Sequence, residues 1–227
     1  GSFSLGGLEP GEWMLVTTAS EAFVRISPDA AGPIPVRLEP RFVTGRVVEP
    51  AGHDSPSAQV LALPAGVLEA AFTKPESGAM FVLLAANWRR DLDDVPLDEL
   101  LRFRLAVPVE GPYDLYAESV RLAAESPVRA TASADPAAAA VDLQLRPAVP
   151  VRVRFEGLDR PEGAVVVARN EAGVAVAVAA DTGSALLHLV PGRYRLRVFG
   201  PRGAVRDHEF VAEAGGEEDT EIEVRFK

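Results

Sequence analysis

The sequence has no cysteine, and only two of its 23 basic residues, Lys74 and Lys227, are lysines. The first absence excludes disulfide staples, thiolate zinc sites and thiol chemistry, so stability has to come from burial. Aromatic residues are sparse at 7%, and the net charge of −10 comes with no basic cluster dense enough to follow a phosphate backbone. No nucleic acid partner is therefore expected. The longest apolar run, from Ala79 to Ala86, is too short to cross a bilayer, so no membrane insertion is expected either. The three histidines, His53, His188 and His208, stand far apart, and no His-x-x-x-His pair or nucleophile elbow occurs. No catalytic residue, cofactor or metal site can be assembled, and the chain does not read as an enzyme.

What the chain does have is one short phrase written three times. It appears as Leu8-Glu9-Pro10-Gly11-Glu12-Trp13-Met14-Leu15, as Val109-Glu110-Gly111-Pro112-Tyr113-Asp114-Leu115, and as Leu189-Val190-Pro191-Gly192-Arg193-Tyr194-Arg195-Leu196. A Pro/Gly turn feeding an aromatic-x-Leu alternation is a tight reversal entering a half-buried strand, and its recurrence marks a repeated β module. Trp13, Tyr113 and Tyr194 are expected at equivalent, buried places. An alternating strand follows each copy after a variable stretch: Pro35 to Leu38, Val141 to Leu145, and Ile222 to Phe226. Pro40 and Pro147 follow the first two of these strands at once and mark borders, because proline cannot donate to a ladder.

The expected architecture is all-β: tandem antiparallel β-sandwich modules of prealbumin-like or Ig-like type, the first one truncated. Residues 1–40 read as the closing strands of a module whose opening strands lie upstream. Residues 41–147 read as a module with an insertion near 64–100 that includes a short helix from Leu97 to Leu101. Residues 148–227 read as a seven-stranded module, with strands near 149–156, 163–168, 173–179, 185–189, 193–199, 204–211 and 219–226. In that last module Tyr194, Leu196 and Val198 are placed in the core, and Arg193, Arg195 and Arg197 on a wet face. Glu221 and Glu223 are expected to pair across strands with arginines such as Arg152 and Arg154, and His188 to lie at a surface or edge. An incomplete first module should dock on its neighbour or exchange strands with a second copy.

Two patches in the insertion invite a ligand. Trp88 closes an apolar strand before Arg89 and Arg90, a combination able to stack on a sugar and hydrogen-bond its hydroxyls; the alternative is a tryptophan that covers the end of the core. Asp91, Asp93 and Asp94, with Asp98 and Glu99 behind them, offer oxygens for a hard cation, but without EF-hand glycine spacing they read better as a solvated acidic turn. A protein or a glycan is the partner class these residues suit.

The string from Gly1 to Leu15 resembles the Gly-x-Phe-x-Leu-x-x-Leu-x-Pro-Gly-x-Tyr-x-Leu signature of carboxypeptidase regulatory-like domains. Gly45-Arg46-Val47 resembles the opening Gly-x-Val of that family, and Ser57 to Leu63 its second strand. The middle module departs by reading Gly111-Pro112 where the family has Pro-Gly, and the last lacks the family's Phe, having Ser184 there. Starch-binding-like and pilin-type sandwiches share the same turn. The resemblance implies a non-catalytic spacer, accessory or interaction module of an exported bacterial protein, placed outside the cytoplasm as a secreted, periplasmic or cell-surface chain. It supplies no catalytic residue to carry over. The Lys–Asn isopeptide bond of pilin-type relatives is all but excluded by the shortage of lysine.

Overall fold

In a computed structural model, the structure describes residues 11–16, 21–26, 41–52, 58–73, 101–107, 110–134, 140–157, 164–181, 183–200, 204–214 and 220–226. Each copy of the repeated phrase runs straight into a strand. The first enters β1 (Gly11–Val16), which pairs antiparallel with β2 (Glu21–Ile26) and sets Trp13 opposite Val24. The burial of Trp13 and the strand expected at 35–38 lie outside the described residues.

The middle group of strands comprises β3 (Arg41–Val48), β4 (Gln59–Pro64), β5 (Arg102–Val107), β6 (Pro112–Ser119), β7 (Leu122–Ala124), β8 (Val128–Thr131) and β9 (Val141–Pro147). They form one sheet in the order β4-β6-β7-β9-β3-β5, with β8 also paired to β6. The sheet closes around Val43, Phe103, Leu105, Tyr113, Leu115, Leu122 and Leu143, all buried. Gly45 is there for space and not for conformation: a Cβ on it would lie 2.3 Å from the carbonyl oxygen of Val141 and 2.6 Å from the Phe103 ring. Only a bare Cα lets β3 sit between β5 and β9 at this point.

Residues 149–225 hold β10 (Val149–Glu156), β11 (Ala164–Asn170), β12 (Ala175–Asp181), β13 (Ser184–Leu189), β14 (Gly192–Phe199), β15 (Val205–Ala212) and β16 (Thr220–Arg225). Among the described residues these are seven strands. Two sheets, β13-β10-β16 and β12-β11-β14-β15, face each other across Val151, Val153, Val166, Leu187, Leu196, Val198 and Ile222. Asn170 to Gly173 form one connecting turn, and Gly157 takes a φ of 74° after β10. Tyr194 is buried, and its hydroxyl donates to the Val190 carbonyl at 2.5 Å, tying the Pro191-Gly192 turn to the strand it feeds.

The two groups pair in the same way. β3 lies antiparallel to β5 and parallel to β9, as β10 does to β13 and β16. β4 pairs with β6 and β6 with β8, as β11 does with β14 and β14 with β15. Tyr113 and Tyr194 thus occupy corresponding, buried positions on β6 and β14.

A helix in the insertion, α1, runs over Val67–Thr73; of the short helix expected from Leu97 to Leu101, residues 97–100 lie outside the described set, and Leu101 takes a left-handed φ of 54°. One expectation needs correction. The face of β14 carrying the arginines is not uniformly wet: Arg195 is 49% exposed along its side chain, but Arg197 is only 13% exposed. The cause is a second layer of packing. The apolar run Ala164 to Ala168 in β11 is buried on both faces, because α1 and β4 cover the outer one.

Candidate functional site

The sequence-predicted ligand residues Trp88, Arg89, Arg90, Asp91, Asp93 and Asp94 lie outside the described residues. Among the described residues no group of three His, Cys, Asp or Glu side chains could hold a metal ion, and no helix is long and apolar enough to cross a membrane. The most developed polar and apolar constellation is the joint between the two sandwiches. It starts from a minimal connection: β9 ends at Pro147 and β10 begins at Val149, leaving Ala148 alone between them. The Ala148 N–H donates to the Arg121 carbonyl at 2.7 Å, so even this residue is fixed to the middle sandwich.

With so short a tether the facing surfaces meet, and they meet as a third apolar cluster. Leu61 and Leu63 of β4, Leu68 of α1 and Tyr116 of β6 pack against Val165 and Val167 of β11, Val178 of β12 and Phe199 of β14. Around them the polar contacts are specific. Asp114, on the outer face of β6, is buried; it accepts the Gly66 N–H at 2.8 Å at the start of α1 and is held by Arg129 at 2.9 Å. A helix of seven residues has no stability of its own, so these contacts position it. Glu69 then accepts the Ala175 N–H of the other sandwich at 2.8 Å, with the Arg169 guanidinium 3.8 Å away. Phe72, in the last turn of the helix, sits between two cations. Arg197 lies 5.0 Å and Arg169 5.3 Å from its ring centre, and Arg197 also donates to the Phe72 carbonyl at 2.5 Å.

Asp207 orders this arginine by accepting two hydrogen bonds from Arg197, each 2.7 Å, and a third from Arg195. Donation from Arg197, with Arg195 adding to it, holds the Asp207 carboxyl below the usual carboxylate range. Burial, aided by the carboxylates of Asp114 and Glu69, pushes the Tyr116 phenol well above its ordinary value. At the far rim, His188 on the edge strand β13 faces Glu118 of β6 with Nδ1 and Oε2 3.5 Å apart. His188 was expected at a surface or edge; it is on an edge strand, but that edge is covered by the middle sandwich.

The expected cross-strand pairing is present for Glu221 on the opposite, solvated sheet, where Arg154 meets it at 2.7 Å, whereas Glu223 bonds Arg225 of its own strand. An open groove of about 510 Å³ lies over the exposed end of β11, β14 and β15. Its guanidiniums, Arg169, Arg193 and Arg195, are set against Glu171 and Glu209, and Arg169 is occupied by the Gly173 carbonyl. Mixed charge and an open shape make it a solvated face and not a built site.

Sequence reasoning missed Asp114, Glu69, Phe72 and Arg197. Two signals were legible: Leu68 and Phe72 stand four apart, as neighbours on a helix do, and Ala164 to Ala168 is a continuous apolar run, the mark of a strand covered on both sides.

No protein-family model and no curated protein matches the sequence. Among solved structures, the chain is similar to the Bacillus anthracis TIE protein at 12% identity and a TM-score of 0.31, with 91% of this chain covered and 35% of that one. The chain thus spans about a third of the length of that protein. It is also similar to a streptococcal ancillary pilin (12% identity, TM-score 0.26, 97% and 76% covered) and to the shaft pilin SpaA from Lactobacillus rhamnosus GG (11% identity, TM-score 0.27, 82% and 97% covered).

Proposed function

We propose that the chain is a non-catalytic, stiff segment of tandem β-sandwich modules, with borders near residues 40 and 147, serving as a spacer or interaction module of an exported bacterial protein. The joint is the observation that carries this reading. A one-residue tether, a shared apolar cluster and a helix clamped at both ends restrict the relative motion of two sandwiches that flexible linkers would leave free. The placement outside the cytoplasm, and the kinship with carboxypeptidase regulatory-like domains, rest on the repeated Pro/Gly-aromatic-x-Leu phrase. Small-angle scattering tests the stiffness: the profile should fit one fixed arrangement of the two sandwiches, and a profile that needs a broad ensemble overturns it. The rival reading is a carbohydrate-binding module, favoured by Trp88 beside Arg89 and Arg90. Glycan-array binding that disappears in Trp88→Ala would replace the spacer reading with that one. An accessory role beside an enzyme encoded elsewhere in a longer chain is tested by the neighbouring reading frame.

A further inference from the structure

We propose that the joint is a proton-sensitive latch, in which His188 of one sandwich and Glu118 of the other hold the docked arrangement more tightly when the imidazole is protonated. The inference deepens the stiff-segment reading and rests on the same joint. β13 alternates strictly: Ala185, Leu187 and Leu189 point into the core, so His188 points out of its sandwich, and out of this sandwich means into the joint. There its Nδ1 lies 3.5 Å from Oε2 of Glu118, and each side chain is only 19% exposed. A void of roughly 30 Å³ beside them, lined by Gln59, Tyr116, Ala123, Val176 and Val178 among others, has room for about one water. The pair therefore meets in a partly dry, largely apolar rim, where opposite charges attract more strongly than in bulk solvent.

The elements packed around the pair bring both charged and neutral groups. On β6 the other acid of the same face, Asp114, is committed to Gly66 and Arg129. β4 offers the neutral Gln59 opposite Glu118, and β7 carries no titratable side chain. Of the residues flanking β7, Glu125 pairs with Arg146 at 2.9 Å and the Arg121 carbonyl holds Ala148. β10 sets Pro150 opposite His188 and Arg152 opposite Leu186, which places the cation of Arg152 on the same outward face as His188, and β12 brings Val176, Ala177 and Val178. Tyr116 remains a neutral phenol throughout the range concerned. Among the described residues Glu118 is thus the acid that faces His188. An imidazole takes up its proton in the slightly acid range, so docking should strengthen as the pH falls from about 8 to about 5.5.

The absence of cysteine makes a direct test simple: spin labels at Thr131→Cys and Glu213→Cys, both exposed positions, report the distance across the joint in the full chain. The expected result is an undocked population about fivefold smaller at the acid end than at the alkaline end. His188→Gln and Glu118→Gln should each abolish the pH response, while His208→Gln, on an exposed strand position, leaves it intact. One narrow distance at every pH overturns the latch and leaves the stiff segment standing. A broad distribution at every pH overturns both. A wild-type pH response that survives in His188→Gln or Glu118→Gln also overturns the latch, and the wild-type arm stands even where one of these variants fails to fold.

Discussion

Three consecutive residues of β14 should respond to truncation in three different ways. Leu196 is fully buried between the two sheets of its own sandwich, so Leu196→Ala removes core contacts and leaves a cavity at a cost of about 2–5 kcal/mol. Arg195 points out, half exposed, and shares Asp207 with a second guanidinium; Arg195→Ala should cost no more than about 1 kcal/mol. Arg197, read from sequence alternation as a solvent residue like Arg195, gives both nitrogens of its fork to Asp207 and a further bond to the Phe72 carbonyl across the joint. Arg197→Ala removes a charge-assisted pair from a half-buried site, which should cost about 1.5–3 kcal/mol. The loss should also fall in a different place. In urea melts followed by circular dichroism, Leu196→Ala shifts the midpoint of its own sandwich most. In hydrogen exchange resolved by segment, Arg197→Ala selectively loosens residues 67–73, because α1 loses its C-terminal clamp. If Arg197→Ala and Arg195→Ala behave alike in both measurements, the joint described above does not hold in solution.

Gly45→Ala should destabilise the middle sandwich by about 1–3 kcal/mol, since the new methyl meets a backbone carbonyl and an aromatic ring at once; a thermal melt within error of wild type would contradict that close approach. Tyr194→Phe should cost about 0.5–1.5 kcal/mol through the bond to Val190, measured as a shift in urea midpoint with the folded spectrum unchanged. The Asp207 carboxyl titrates below its ordinary value of 3.8, so its stabilising effect is complete above that value and is lost as the pH falls through the lower folded one. The stability gap between wild type and Asp207→Asn should therefore stay level from neutral pH down to about 4 and close below it, a course that acid titration of the two melts would check.

The inner faces were legible because they are periodic. Tyr194-x-Leu196-x-Val198 and Val151-x-Val153-x-Phe155 alternate with charged residues, and a period of two on a pleated strand has only one meaning. The repeated turn phrase added the order of the elements. α1 was not legible as the clamp it is, because a seven-residue segment has too little intrinsic helix stability to stand out and is shaped by Asp114 from a strand some fifty positions later. The candidate residues around Trp88 were chosen for their chemistry, whereas the joint is built from Leu, Val, Phe and ordinary ion pairs that no motif marks.

What the repeat leaves free to vary explains how the joint is made specific. The residues that recur, Tyr113 with Tyr194 and Leu115 with Leu196, all point inward. The residues between and after them point outward, and they differ: Asp114, Tyr116 and Glu118 on β6 stand where β14 has Arg195, Arg197 and Phe199. Two copies of one fold can thus present unlike surfaces. The middle sandwich brings the acids Glu69 and Glu118 to the joint, and its neighbour brings Arg169, Arg197 and His188. Opposite charges around an apolar centre favour the mixed pairing over either sandwich meeting its own kind, where like charges would face each other. The charge pattern thus favours the pairing of the middle sandwich with its neighbour over the pairing of like surfaces.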